Sequence, residues 1–181
     1  GTSYVSFENI TIDHKKAAYG NCVRAEGKAS SLAFKNVTFD GVEAEVSGSG
    51  SAVVYFTSTA NKNNVQFVDC EFNNGSIGLC KGGVDEENRD TKTIISGNLF
   101  FNQQQAGIAL SNEDAPEIAS NVVNSTSPSE AFRGITLINA SNQIIITKNV
   151  INTPNGAVGL ALTNCAAKAT DLGQITNNSI V

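Results

Sequence analysis

The chain has 181 residues, 40% hydrophobic and 16% charged, enough to bury one sizeable core or to stack many small ones. Its net charge of −5, with 12 Lys and Arg scattered along its length, argues against a nucleic-acid partner, because neutralising phosphates takes clustered cations. The longest apolar runs are four or five residues, far short of the roughly 18 a membrane-spanning helix requires, so no span is predicted.

Taken in chain order, one phrase recurs: an apolar residue followed five positions later by another. The pairs are Phe7/Ile12, Phe34/Phe39, Phe67/Phe72, Ile95/Phe100, Ile118/Val123, Ile146/Ile151 and Ile175/Ile180, and their starts lie 27, 33, 28, 23, 28 and 29 residues apart. A fixed phrase with loops of variable length is the signature of a solenoid. The units are too short and too rich in β-branched residues for helices, and NV, NN, NG and PN steps mark turns between short strands.

A further strand follows most pairs. Ile77/Leu79, Ile108/Leu110, Ile135/Leu137 and Leu160/Leu162 alternate with Gly78, Ala109, Thr136 and Ala161, which predicts the first set inward and the second outward. The first two repeats are looser here, with CVRA and VVYF, and Arg24 is predicted to point outward. Such a coil of three strands per turn would place like residues over like at about 4.8 Å. Phe7, Phe34 and Phe67 then form one aromatic file, and Phe39 and Phe72 another.

Asn98, Asn121, Asn149 and Asn178 each sit three residues after the first apolar member of a pair, a spacing that predicts a hydrogen-bonded amide ladder. In the first three repeats the polar residue comes one place earlier, as Asn9, Asn36 and Asp69. That shift predicts a local defect near the third and fourth turns. The sequons at Asn9 and Asn36 belong to this phrase and are expected to be paired within the stack, out of reach of glycosylation. Cys22, Cys70, Cys80 and Cys165 lack metal-site spacing and read as buried free thiols.

The segments ISGNLFFN with GIAL, IASNVVN with GITL, and ITKNVIN with GLAL resemble the repeat of the right-handed parallel β-helix proteins of the pectate-lyase-like superfamily. The resemblance implies an all-β, right-handed, single-stranded parallel β-helix of about seven rungs, with residues 1–181 forming a single domain. The chain starts and stops close to strands with no capping helix, so it is expected to be a piece of a longer solenoid, or to stack end to end through uncapped ends. The resemblance also implies a polysaccharide partner and a bacterial location that is secreted, periplasmic or at the cell surface.

In that superfamily the GIAL-type strand floors the substrate groove. The outward residues predicted here cannot move a proton, and polysaccharide cleavage needs a base or a carboxylate pair. The sequence thus points to polysaccharide binding without a recognisable catalytic constellation. The alternative is a lyase or glycoside hydrolase whose active residues sit on loops. Groove-edge candidates are Arg24, Arg133 and Glu130, the last two reading also as a surface ion pair. No cofactor is required, but Asp85, Glu86, Glu87 and Asp90, with Glu113 and Asp114 one turn later, could converge on Ca2+, with internal salt bridging to Lys81, Arg89 or Lys92 as the competitor. His14, beside Lys15 and Lys16, reads as a solvated turn residue.

Overall fold

The computed structural model describes residues 2–43, 45–127, 129–153 and 157–181; the Pro154–Asn155 turn step lies outside them. The chain winds into a parallel β-solenoid of about six turns with three sheets. The first sheet stacks Thr2–Glu8, Ala29–Lys35, Val65–Val68, Ile94–Ser96, Glu117–Ala119, Ile145–Thr147 and Gln174–Thr176. The second stacks Thr11–Asp13, Thr38–Asp40, Glu71–Asn73, Leu99–Phe101, Val122–Asn124, Val150–Asn152 and Ser179–Ile180. The third has six strands: Val23–Ala25, Val54–Phe56, Ile77–Gly82, Ala106–Ser111, Arg133–Ile138 and Val158–Thr163. Seven repeats therefore close only about six coils. Among the described residues the one helical element is a 3-10 turn at Ser49–Ser51.

The apolar pairs set the register. Phe7, Phe34, Phe67, Ile95, Ile118, Ile146 and Ile175 pair in one unbroken file of the first sheet. Their partners from Ile12 to Ile180 form the matching file of the second. Both files face the interior, where burial removes most of their apolar surface from water; Ile175 and Ile180 in the last turn stay about half exposed. The rings of Phe34 and Phe67 stack at 4.7 Å, and those of Phe72 and Phe100 at 4.5 Å, close to the spacing between strands. Phe100 thus extends the file begun by Phe39 and Phe72.

The polar residues one place earlier in the first three repeats do not break this register. Asn9, Asn36 and Asp69 have positive φ, as do their counterparts Gly97, Ser120, Lys148 and Asn177, so all seven share one left-handed corner between the first two sheets. Asn tolerates that conformation better than other side chains, which explains its frequency there. Strand pairing runs in full register through the third and fourth turns, and the interruption expected there is confined to the amide ladder, which ends at Asn98 on the backbone N–H of Cys70. Asn36 does donate to Asn9 at 2.7 Å, but both side chains are on the exposed outside of the corner, contrary to the expectation that the stack hides them.

A second correction concerns the third sheet. Leu79, not Ile77, pairs with Ile108, so Cys80 rather than Gly78 is the counterpart of Ala109, Thr136 and Ala161. Gly78 belongs instead to a glycine file with Gly107, Gly134 and Gly159 that lies against the second sheet. A Cβ on Gly107 would come within 2.6 Å of Val123 and 2.8 Å of the Gly134 carbonyl oxygen. The shift also places Lys81 in an inward file, between Phe56 and Leu110.

Candidate functional site

The outer face of the third sheet carries Arg24, Tyr55, Cys80, Ala109, Thr136 and Ala161 in register. Over it lies a groove of about 260 Å³ whose lining includes Tyr55, Cys80, Thr136, Ser49, Ser58 and Ser111. Among its described lining residues there is no Asp, Glu or His. Tyr55 offers an apolar ring with a hydroxyl at its tip, and the three serines and the threonine supply neutral donors and acceptors. The Cys80 thiol is pushed up to about 11 by burial, so it is protonated at neutral pH.

Arg24 lies at one end of this face, its guanidinium carbon 5.3 Å from the centre of the Tyr55 ring. It also meets Glu26 at 2.5 Å, and both side chains are largely exposed. Arg133 opens its strand and donates from Nη1 to the Phe132 carbonyl at 3.0 Å. Glu130 is exposed, and no ion pair joins it to Arg133 among the described residues. The structure thus gathers one of the three groove-edge candidates, Arg24, at the groove residue Tyr55.

The acidic cluster is distributed differently. Asp85 caps its own loop, its Oδ1 accepting from the Glu87 and Asn88 backbone N–H groups at 2.9 and 2.7 Å, and these bonds hold its carboxyl below the usual range. Glu86 faces Arg89 at 3.8 Å, while the Arg89 Nε donates to the Asn139 carbonyl at 3.0 Å and ties the loop to a later turn. Glu87 is exposed. Asp114 accepts from Ser141 at 2.9 Å and from Asn142. Among the described residues no three His, Cys, Asp or Glu side chains form a set able to hold a metal ion.

Asp90 turns inward. It pairs with Glu113 in a two-stranded corner, Asp90–Thr91 against Glu113–Asp114, and both carboxyls are wholly buried. Lys81 Nζ lies 2.7 Å from Asp90 Oδ2 and 2.7 Å from Glu113 Oε1, and its side chain is equally buried. The Lys62 backbone N–H donates to Asp90 Oδ1 at 2.7 Å, and the Thr93 hydroxyl donates to Glu113 Oε2 at 2.6 Å. Burial pushes the Glu113 carboxyl up to about 7, against the pull of Lys81 and Thr93. Burial also lowers the Lys62 ammonium, which donates to the Thr57 and Ala60 carbonyls. Sequence reasoning placed Asp90 and Glu113 on successive corners and named Lys81 as an ion-pair partner. It missed their burial, for which the glycine file was the available signal: aligning Gly78 with Gly107 turns Lys81 inward.

The four cysteines are free; only Cys70 is fully buried, the other three being partly covered. Cys70 stands in the ladder position one turn before Asn98, its backbone N–H donating to Asn98 Oδ1 at 2.8 Å. His14 is partly buried and its Nε2 lies 3.2 Å from the Tyr19 carbonyl oxygen. Comparison of the chain with family models, curated proteins and solved structures finds no match.

Proposed function

We propose that this solenoid is a polysaccharide-binding module without catalytic activity of its own, working outside a bacterial cytoplasm, at a cell surface or in the periplasm. The observation that carries the reading is the makeup of the third-sheet groove: among its described lining residues, one partly exposed tyrosine, four hydroxyl side chains and no carboxylate or imidazole. Sugars present alternating apolar C–H faces and hydroxyl edges. An aromatic ring beside several hydroxyls meets both, whereas bond cleavage needs a general acid or base within hydrogen-bond reach. The resemblance of the repeat to the pectate-lyase-like superfamily supports the choice of this face, and Arg24 beside Tyr55 supplies a cation for an acidic sugar.

The test is affinity electrophoresis through gels carrying neutral or acidic polysaccharides, with Tyr55→Ala alongside and circular dichroism as the control for folding. Retardation of the native chain, lost in the folded Tyr55 variant, is the expected result. Equal mobility of the two in every gel overturns the reading, and shortening of the polymer replaces it with a lyase or glycoside hydrolase.

A further inference from the structure

We propose that Lys81 and Asp90 become joined by an intramolecular isopeptide bond, with Glu113 passing the protons. The inference rests on four features of the buried corner and is independent of glycan binding. The nucleophile and its target are already in contact, Nζ to Oδ2 at 2.7 Å, with both side chains wholly buried. The other carboxyl oxygen of Asp90 accepts the Lys62 backbone N–H at 2.7 Å, the donor needed where negative charge develops on attack. A second carboxyl, that of Glu113, touches the same Nζ at 2.7 Å and is fixed from behind by Thr93. Finally, Lys81 is flanked in its file by Phe56 and Leu110, so the pair is held away from water.

These features favour condensation over a lasting ion pair. In an apolar interior a charged pair carries a desolvation penalty that a neutral amide escapes. A desolvated lysine amine is a nucleophile. Positioning supplies the rest, because well-oriented intramolecular reactions reach effective concentrations of roughly 10⁵ M or more. Asp90 is the acceptor because its Oδ1 already has an oxyanion donor. Glu113 has Nζ on one oxygen and a hydroxyl on the other, the arrangement of a proton carrier. Burial keeps its carboxyl protonated to near neutral pH.

The step balances without a co-reactant. One ammonium proton passes to Asp90 Oδ2, which frees the lone pair of Nζ to form a bond to Asp90 Cγ, and Glu113 adds a second proton to Oδ2 as the tetrahedral centre forms. The bond from Cγ to Oδ2 then breaks, and Oδ2 leaves with the two protons lost by the ammonium as one water. Glu113 recovers its proton from Nζ, which keeps one proton as the amide N–H, and Oδ1 remains as the amide oxygen on the Lys62 N–H. The bond closes residues 81–90 into a ring, locking the charged loop 83–89 onto the third sheet and its corner.

The test is intact mass of the purified, denatured full chain, followed by tryptic mapping. The expected mass is below that of the sequence by one water, and the expected branched fragment is peptide 63–89, uncut at Lys81, carrying peptide 90–92. Glu113→Gln, which keeps the size of the side chain, is expected to stay folded by circular dichroism and to show the full mass. Asp90→Asn is expected to lose ammonia in place of water. A native chain of full sequence mass after prolonged incubation overturns the proposal and leaves the three residues as an ion-pair network. A folded Glu113→Gln chain that still loses water overturns the role given to Glu113.

Discussion

Asn98 Nδ2 donates to Asn121 Oδ1 at 2.9 Å, and both side chains are completely buried. The same link joins Asn121 to Asn149 at 3.0 Å and Asn149 to Asn178 at 2.9 Å. Each amide also donates to a carbonyl of the preceding turn, as Asn121 does to Ile95 at 2.9 Å, and each side-chain carbonyl oxygen also accepts a backbone N–H of the preceding turn, as Asn121 Oδ1 does from Asn98 at 3.0 Å. The ladder therefore satisfies backbone groups that the corner takes out of strand pairing, inside a core that offers no water.

Replacing Asn121 with Ala is expected to destabilise the fold by about 2–5 kcal/mol, because it strands the backbone and amide donors of Asn98 and the carbonyl of Ile95. Asn178→Ala is expected to cost less, since that side chain is only partly buried. Urea denaturation of the two variants checks the ranking; equal losses would mean that burial does not set the ladder's worth.

How far the sequence disclosed this arrangement depends on which residues carried a periodic signal. The paired apolar residues and the four ladder asparagines repeat strictly, and each lands on its counterpart in the structure. Asn9, Asn36 and Asp69 misled because they repeat for another reason, the left-handed corner, one residue before the ladder position occupied in the third repeat by Cys70. Lys81 was hidden by hydrophobic alternation: Ile77 and Leu79 fit the pattern of Ile108 and Leu110, and only the alignment of glycines shows that a lysine follows the inward leucine. Burial of that lysine is a tertiary fact, since one of its carboxylate partners, Glu113, comes from the following turn and the residues beside it in the file, Phe56 and Leu110, from the turns on either side.

The glycine file yields a second prediction. Gly107→Ala would bring a methyl group 2.6 Å from Val123 and 2.8 Å from a backbone oxygen, and the backbone cannot yield without disturbing the sheet. A loss of about 1–3 kcal/mol is expected. Ala109→Ser, on the partly exposed outward position two residues later, is expected to lie within about 0.5 kcal/mol of the native chain. Thermal unfolding of both variants supplies the comparison.

The buried corner predicts how stability depends on pH. Glu113 has an ordinary value of 4.5 and is raised to about 7 by burial, so between these limits the folded chain binds a proton that the unfolded chain has released. Its contribution is present in full below about 4.5 and is lost as the pH rises to about 7. The sign is the same whether the adjoining Lys81 is an ammonium or an amide, because burial is the largest cause. Stability is expected to fall by a few kcal/mol across this window through Glu113, and Glu113→Gln should remove that component. Urea midpoints of both chains at pH 5 and pH 7 measure it; a native midpoint that rises with pH to the same extent as the variant's would contradict the assignment.

Cys80 gives the groove an internal reporter. Its thiol ionises only near 11 because it is desolvated between the Tyr55 and Ala109 positions of the outward file, and the thiolate is the reactive form. In a variant retaining Cys80 as its sole cysteine, alkylation is expected to be slow at pH 7 and to quicken about tenfold per pH unit up to the ionisation point. Because Cys80 lines the groove with Tyr55 and Thr136, a bound polysaccharide should slow the labelling without altering the circular dichroism. Unchanged labelling at a polysaccharide concentration that retards the chain in a gel would place the binding face on another sheet.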